Sequence, residues 1–410
     1  MKIQIHRGSN QIGGNCIEIS SYKTRVILDI GDELPEVNSS EPQQRVIPQV
    51  ANLFTSGATS DLAIDAIFVS HMHGDHIGLI DEVKTDIPIY IGKYALAIWE
   101  TIQEFTNQPK SSNPIKHLSN GVPIVINDIT IIPFIIDHSA FDAYSFLIEG
   151  KGERIFYTGD FRSHGFAKNY TLAIQNNPLI KNVDTLLIEG TNLYKEEDVA
   201  ETELELNQRA KEIMQNTAGD VFGLQSSANI ARIQAIYSAA KAANRILLVD
   251  IFTANILQKL PQRIPNPFSF DDVYLFFPIA LTQKAINERP HLFKPFGKFK
   301  IASEELHTRK DMVILIRESM VYEIKNRIQT DDSCLIYSKW KGYKEEPKTA
   351  KFLGYFDKVV DLHTSGHADI PSIKAFVNAI NPKKIIPIHT ITPEKYVELF
   401  GNKVELYGKE

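Results

Sequence analysis

Short apolar runs broken by turn residues fill the first 140 positions of the chain. KIQIH, CIEI, RVILDI, AIFVS, IPIYI, VPIVI and ITIIPFII each have the length and composition of a strand. Asn127-Asp128, between the last two, fits a hairpin turn. Helical spacing appears only after residue 76 and again near 93–106, so the chain reads as strand-rich up to about residue 205, with helices packed outside. Beyond about residue 200 the pattern changes. ETELELNQRAKEIMQN is polar and helical, and further on Ile230, Ile233, Tyr237 and Ala240 fall on one helical face, with Ser226 or Ser227 as the expected N-cap. RILLVDIF then reads as a buried parallel strand, which gives the βαβ alternation of a separate α/β unit. From about 332 the short strands SCLIYS, KVVDLH and KKIIPIH return around one helix near 370–380. The expected organisation is a domain formed by 1–205 and 336–410, with a second domain, 206–335, inserted into it.

Length and composition narrow this picture. A chain of 410 residues is longer than one core usually serves. No run approaches the roughly 20 uninterrupted apolar residues of a membrane span, and MKIQIHRGSNQIGG lacks the apolar region of a secretory signal. Two cysteines, Cys16 and Cys334, are too few for a disulfide framework and form no C-x-x-C pair, so a reduced, cytoplasmic setting is expected. The net charge of −6 provides no overall electrostatic footprint for nucleic acid, so a polyanionic substrate would need a local basic groove or bound metal.

The densest chemistry lies in AIFVSHMHGDHIGLI, residues 66–80. A buried strand ends at Ser70, and His71, His73, Asp75 and His76 follow at once. His71 and His73 alternate past Met72, so both imidazoles can point the same way, while Asp75 and His76 turn toward a second metal. His138 follows ITIIPFIID as a third nitrogen for the first metal. Asp160 ends ERIFYTGD, where it can bridge both metals, and His389 ends KKIIPIH to complete the second. Imidazole and carboxylate ligands suit two divalent ions, zinc first and manganese as the alternative.

This ligand pattern resembles the metallo-β-lactamase superfamily over nearly the whole chain. The resemblance implies an α/β fold of αββα type, two sheets face to face with helices outside. It also makes Asp29, in VILDIGD, a residue that orients a ligand. The large α/β insertion between Asp160 and His389 looks like the cap of the β-CASP nucleases. Glu189 in TLLIEGT, His367 in TSGHAD and His389, 22 positions beyond His367, match that group's later motifs. SSANIARIQ and LLVD look like the ribonuclease J cap. In these nucleases a final histidine marks RNA-processing members, so His389 favours RNA. Thr390 departs from the glycine many relatives have there, and His164, in FRSHG, has no family role and reads as a surface loop residue. The relatives' additional C-terminal domain has no counterpart in the 21 residues after His389, and the resemblance allows a homo-oligomer.

The implied reaction is phosphodiester hydrolysis by a hydroxide between two metals, with a ribonuclease J-like exo- or endonuclease as the first expectation. Asp75, Glu189 and His367 are the catalytic candidates: His367 as general acid, with Glu189 holding its imidazole. Ser226 and Ser227 at a helix start, and His363 and Ser365 before His367, are candidates for phosphate capture. Lys339, Trp340 and Lys341, in YSKWKGYKEEPKTAK with Tyr337 and Tyr343, combine cations with stacking rings suited to single-stranded RNA, and HLFKPFGKFK (291–300) is similar. Hydrolysis of a small ester, thioester or lactone, a DNA nuclease, and a metal-binding scaffold without turnover are the competing readings.

Overall fold

The computed structural model describes residues 1–34, 45–195, 199–286 and 288–408. It divides into two units, one formed by Met1–Ala200 with Ser365–Glu410 and the other by Glu201–Thr364.

The first unit contains two six-stranded sheets. In one, β1 (Lys2–Arg7), β2 (Cys16–Ser20) and β3 (Arg25–Leu28) are antiparallel; β4 (Ala66–Phe68), β5 (Ile89–Ile91) and β6 (Ile115–His117) then add in parallel. In the other, β7 (Ile124–Ile126), β8 (Ile129–Ile135), β9 (Tyr144–Gly150) and β10 (Glu153–Tyr157) form an antiparallel meander, and β11 (Thr185–Glu189) pairs in parallel with β10. The β7–β8 hairpin turns through Asn127, whose φ of 50° suits an asparagine in the left-handed region.

The two-residue period of the strands decides what each face covers. Ile129 and Ile131 of β8 join Ile17, Val26 and Phe68 in a core shared with the first sheet. Ile132 and Phe134, pointing the other way, pack with Ile174, Ile373 and Phe376 from the helices Lys168–Asn176 and Ile370–Ile380. Phe68 stacks on Tyr90 at 4.6 Å and meets Phe146 of the second sheet edge-on at 5.8 Å.

In the second unit β12 (Val221–Leu224), β13 (Ile246–Asp250), β14 (Val273–Phe276), β15 (Met312–Ile316), β16 (Cys334–Tyr337) and β17 (Val359–Asp361) form one parallel sheet, ordered β14-β13-β15-β12-β16-β17. After it, β18 (Lys384–Ile388) returns to the first unit and pairs in parallel with β11.

Two expectations change here. The inserted unit runs to Thr364 rather than 335, because Cys334–Tyr337 pairs with β12 and Val359–Asp361 with β16. SCLIYS and KVVDLH therefore complete the parallel sheet, and only KKIIPIH belongs to the first unit. The helix Ile230–Ala242 is capped by Asn229, whose side chain accepts from the Arg232 N–H, and not by Ser226 or Ser227. Ser226 Oγ accepts from the Ala228 N–H instead, and Ser227 Oγ from the Thr253 hydroxyl. Among the described residues no helix is long and apolar enough to cross a membrane.

Candidate metal centre

The fully buried strand β4 leads into His71 and His73, and a single helical turn, Gly74–Ile77, carries Asp75 and His76. Backbone packing fixes where that turn sits. Gly31 lies so close beneath it that a Cβ there would come 1.7 Å from the Asp75 carbonyl oxygen, so no larger residue fits.

Two groups of residues that could hold a metal ion converge. The Nε2 atoms of His71 and His138 lie 3.1 and 3.3 Å from His73 Nδ1, which makes one three-nitrogen group. Asp75, His76, Asp160 and His389 form the second. There Asp75 Oδ2 is 3.1 Å from His389 Nε2, and Asp160 Oδ2 is 3.1 Å from His76 Nε2 and 3.7 Å from His389 Nε2. The same Asp160 oxygen is 3.8 Å from His71 Nε2, so this carboxylate stands between the two groups.

In the three-histidine group the environment favours the neutral imidazoles that can ligate. Burial first, and then the neighbouring imidazoles, push the pKa of His71 and His138 well below the ordinary histidine range. Burial likewise brings His73 down to about 4. At the other end burial opposes charge on His76, yet Asp160, Asp29 and Asp75 outweigh it and raise its pKa well above normal. The field there thus draws positive charge. Both oxygens of Asp160 are buried, and Oδ2 faces the imidazole nitrogens of His76 at 3.1 Å and His389 at 3.7 Å. A buried carboxylate so placed among imidazole nitrogens fits a divalent cation.

The candidate ligands are themselves held. Asp29, at φ 60°, accepts from the Ser70 N–H at 2.6 Å, from the Tyr157 hydroxyl at 2.5 Å and from His76 Nδ1 at 2.7 Å. His76 therefore turns Nε2 toward the carboxylates. His389 is also left-handed, with φ 52°; its N–H bonds the Gly8 carbonyl at 2.6 Å and its Nδ1 meets the Thr191 hydroxyl at 2.8 Å. His138 donates from Nδ1 to the Gly366 carbonyl at 2.6 Å, which leaves Nε2 as the lone-pair nitrogen facing His73.

Beside Asp160, His367 Nδ1 lies 3.2 Å from Glu189 Oε1 and 3.6 Å from Asp160 Oδ2. Burial disfavours its charged form, but Glu189 and Asp160 prevail and bring its pKa up to about 9. Ser365 Oγ accepts from the His367 N–H and from Asn192 Nδ2, each at 3.1 Å, which ties it to the His367 backbone and leaves its O–H as a donor. Thr191 and Asn192 escaped the sequence reading although they stand two and three residues after Glu189. His164 is a correction. It is buried, not a surface residue, and its Nε2 donates to the Ser365 carbonyl at 2.8 Å.

The remaining candidates lie on the second unit. Lys339 is paired with Glu318 at 2.6 Å, while Lys341 is exposed at the start of a 3-10 turn, Lys341–Glu345. Trp340 and Tyr343 are exposed and meet edge-on at 5.3 Å. Tyr337 is completely buried and so is not a stacking surface, and Phe293 and Phe296 of the 291–300 segment are likewise in the interior. His363 is half-buried just before the end of this unit.

A model described as the beta-lactamase superfamily domain matches residues 47–220, and one described as the Zn-dependent metallo-hydrolase RNA specificity domain matches residues 357–394. An RNase J-like protein of Methanocaldococcus jannaschii is 24% identical, aligned over 94% of this chain and 92% of its own. Ribonuclease J 2 of Streptococcus pyogenes is 21% identical over 93% and 68%. Ribonuclease J of Helicobacter pylori is 22% identical over 95% of this chain, which spans 56% of that relative's length. The crystal structure of a protein of unknown function from Enterococcus faecalis V583 shares the fold, with a TM-score of 0.82 and 21% identity over 98% and 97% of the two chains.

Proposed function

The chain belongs to the metallo-β-lactamase superfamily, in its β-CASP, ribonuclease J-like branch, and from that premise we propose that it is a two-metal ribonuclease acting on single-stranded RNA. The observation that carries the reading is Asp160 standing between the two ligand sets, with the His367–Glu189 pair beside it. His71, His73 and His138 would hold one ion and Asp75, His76 and His389 the other, with Asp160 shared. Imidazole and carboxylate donors accept manganese as well as zinc; the Zn-dependent description of the domain matched at 357–394 favours zinc. Divalent ions bound there supply Lewis acidity toward phosphate oxygens and a water that ionises near neutral pH.

The chain's own residues do the rest. Glu189 accepts from His367 Nδ1, so the imidazolium keeps Nε2–H as the donor to the leaving 3′-oxygen. Glu189 raises the pKa of His367 against the effect of burial, which favours the protonated form that can donate. Asp75 stays ionised, its pKa lowered by His76 and His389 against the effect of burial. On the second unit Lys341 and the exposed Trp340 would engage the backbone and bases of RNA, with Ser226, Ser227 and His363 as candidate phosphate contacts. Ser365 accepts from the His367 N–H and so holds that residue, while its O–H remains a candidate donor to phosphate.

The test is turnover of a 5′-monophosphorylated single-stranded RNA by metal-loaded protein, with His73→Ala as control. Cleavage that disappears in the control is the expected result, and the product ladder separates exo- from endonuclease. Intact RNA alongside hydrolysis of a generic ester or thioester would replace this reading with a small-substrate hydrolase.

A further inference from the structure

A buried polar cluster lies directly behind the site, and the reaction as described leaves it without a task. Asp137 precedes ligand His138, and Arg162 and His164 follow ligand Asp160; all three are buried. Asp137 accepts from Arg162 Nε at 3.3 Å and from the Gly165 N–H at 2.7 Å, and its carbonyl takes the Arg162 N–H at 2.7 Å. Thr171 extends the tie, since its hydroxyl donates to the Arg162 carbonyl at 3.0 Å and accepts from the Asp137 N–H at 3.3 Å. The two loops that carry His138 and Asp160 are therefore fastened to each other.

The cluster also reaches a third loop. Arg162 Nη1 and His164 Nε2 both donate to the Ser365 carbonyl, at 3.2 and 2.8 Å. The next carbonyl along, that of Gly366, receives His138 Nδ1, and the next side chain is His367. Ser365–Gly366–His367 is thus a strap with its first carbonyl anchored, its second fixing the tautomer of a ligand and its third residue facing Glu189. There is no slack in it. A Cβ on Gly366 would lie 2.3 Å from Ser139 Oγ and 3.3 Å from His138 Cε1.

We infer that His164 and Arg162 are positioning residues that act through the Ser365 carbonyl, setting together the ligating orientation of His138 and the placement of His367. Two donors on one carbonyl hold that peptide plane, and with it the direction of the adjoining Gly366 carbonyl. If the anchor is lost, the strap can rotate, His138 loses its fixed tautomer and His367 moves off its partner. One amino acid behind the site then governs both metal retention and proton delivery, although it touches neither. This rests on the reading of His138 as a ligand and His367 as the acid.

The experiment compares His164→Phe, which deletes the donor, with His164→Gln, which keeps an N–H able to reach a carbonyl, and with His138→Ala as reference. Zinc content is measured after graded chelator challenge, and kcat and KM on RNA are measured separately. We expect His164→Phe to lose zinc at about tenfold lower chelator concentration and to show a kcat about tenfold lower with KM little changed, and His164→Gln to recover most of both. If His164→Phe does not fold, His164→Ala, which removes the donor without added bulk, takes its place. Unchanged zinc retention in the donor-deleted variant, or a Gln variant no better than it, would overturn the inference provided His138→Ala does lose zinc. If His138→Ala keeps its full zinc, the assignment of the ligand set is what fails.

Discussion

Arg232→Met offers a sharp test of how the second unit is held. Arg232 is fully buried on the helix Ile230–Ala242, and its guanidinium grips Glu203 with Nε and Nη2, each at 3.2 Å. It also donates to the Leu362 carbonyl at 3.2 Å, the Thr364 carbonyl at 3.4 Å and the Ser338 hydroxyl. The pair joins the first helix of this unit to its last residues. Methionine matches the length of the stem but deletes the charge, so the Glu203 carboxylate stays buried without its cation. Removing one partner of a buried pair costs about 3–5 kcal/mol. At about 2–4 °C per kcal/mol for a unit of this size, the midpoint should fall by roughly 6–20 °C. The chain has two tryptophans, Trp99 and Trp340, and only Trp340 lies in this unit. Urea unfolding followed by Trp340 fluorescence in a Trp99→Phe background therefore reads the unit directly. Arg232→Met combined with Glu203→Leu should recover at least ~2 kcal/mol relative to the sum of the single changes. A loss below about 1 kcal/mol for Arg232→Met, or strict additivity in the double variant, would refute the account.

Other outcomes follow from the same structure. His367→Ala should retain its metal and lose roughly 10²–10⁴ in kcat; full activity would remove His367 from the mechanism. Burial pushes the Asp220 carboxyl up to about 6, against the Met312 N–H and Arg245. A raised folded pKa gives stability that is present below about pH 4 and lost as pH rises through 6. Asp220→Asn should therefore be neutral at pH 4 and stabilising by about 1–2 kcal/mol at pH 8, measured by urea unfolding at each pH; an effect independent of pH would contradict this. Gly31→Ala sets a Cβ against backbone that cannot give way and should lower both the thermal midpoint and the metal content, whereas an unchanged midpoint would mean that the Asp75 turn moves freely. Lys341→Glu should weaken RNA binding and reduce its salt slope by about 1, seen in titrations at several salt concentrations.

The grouping of the candidate ligands was legible because its members sit at strand ends, where an apolar run stops and a polar residue with metal-binding chemistry follows at once. The same local logic found β8, β10 and β18 and the helix Ile370–Ile380. It failed where the answer depends on pairing. Cys334–Tyr337 and Lys384–Ile388 are both short buried apolar runs, and nothing local reveals that the first pairs with β12 and the second with β11. Tyr337 and Phe296 were misplaced for a related reason, while Trp340 and Tyr343 are exposed as expected: alternation of rings and lysines looks alike whether a ring faces solvent or fills the core. His164 was misread because its partner, the Ser365 carbonyl, is 201 positions away. Long-range backbone contacts leave no mark on composition or spacing.

The pairing of β18 with β11 also governs when the site can exist. Six of the seven proposed ligands have been synthesised by residue 160, but His389 follows the entire second unit, Glu201–Thr364. At about 5–20 residues per second, roughly 10–40 s separate the synthesis of β11 from that of β18. During that interval the edge of β11 lacks its native neighbour, and the Gly8 carbonyl lacks the His389 N–H. A ribosome-bound chain at this stage can gather the His71–His73–His138 group yet cannot close the Asp75–His76 group. Such an order of synthesis keeps a hydrolytic centre incomplete beside the translating ribosome until the inserted unit has been made.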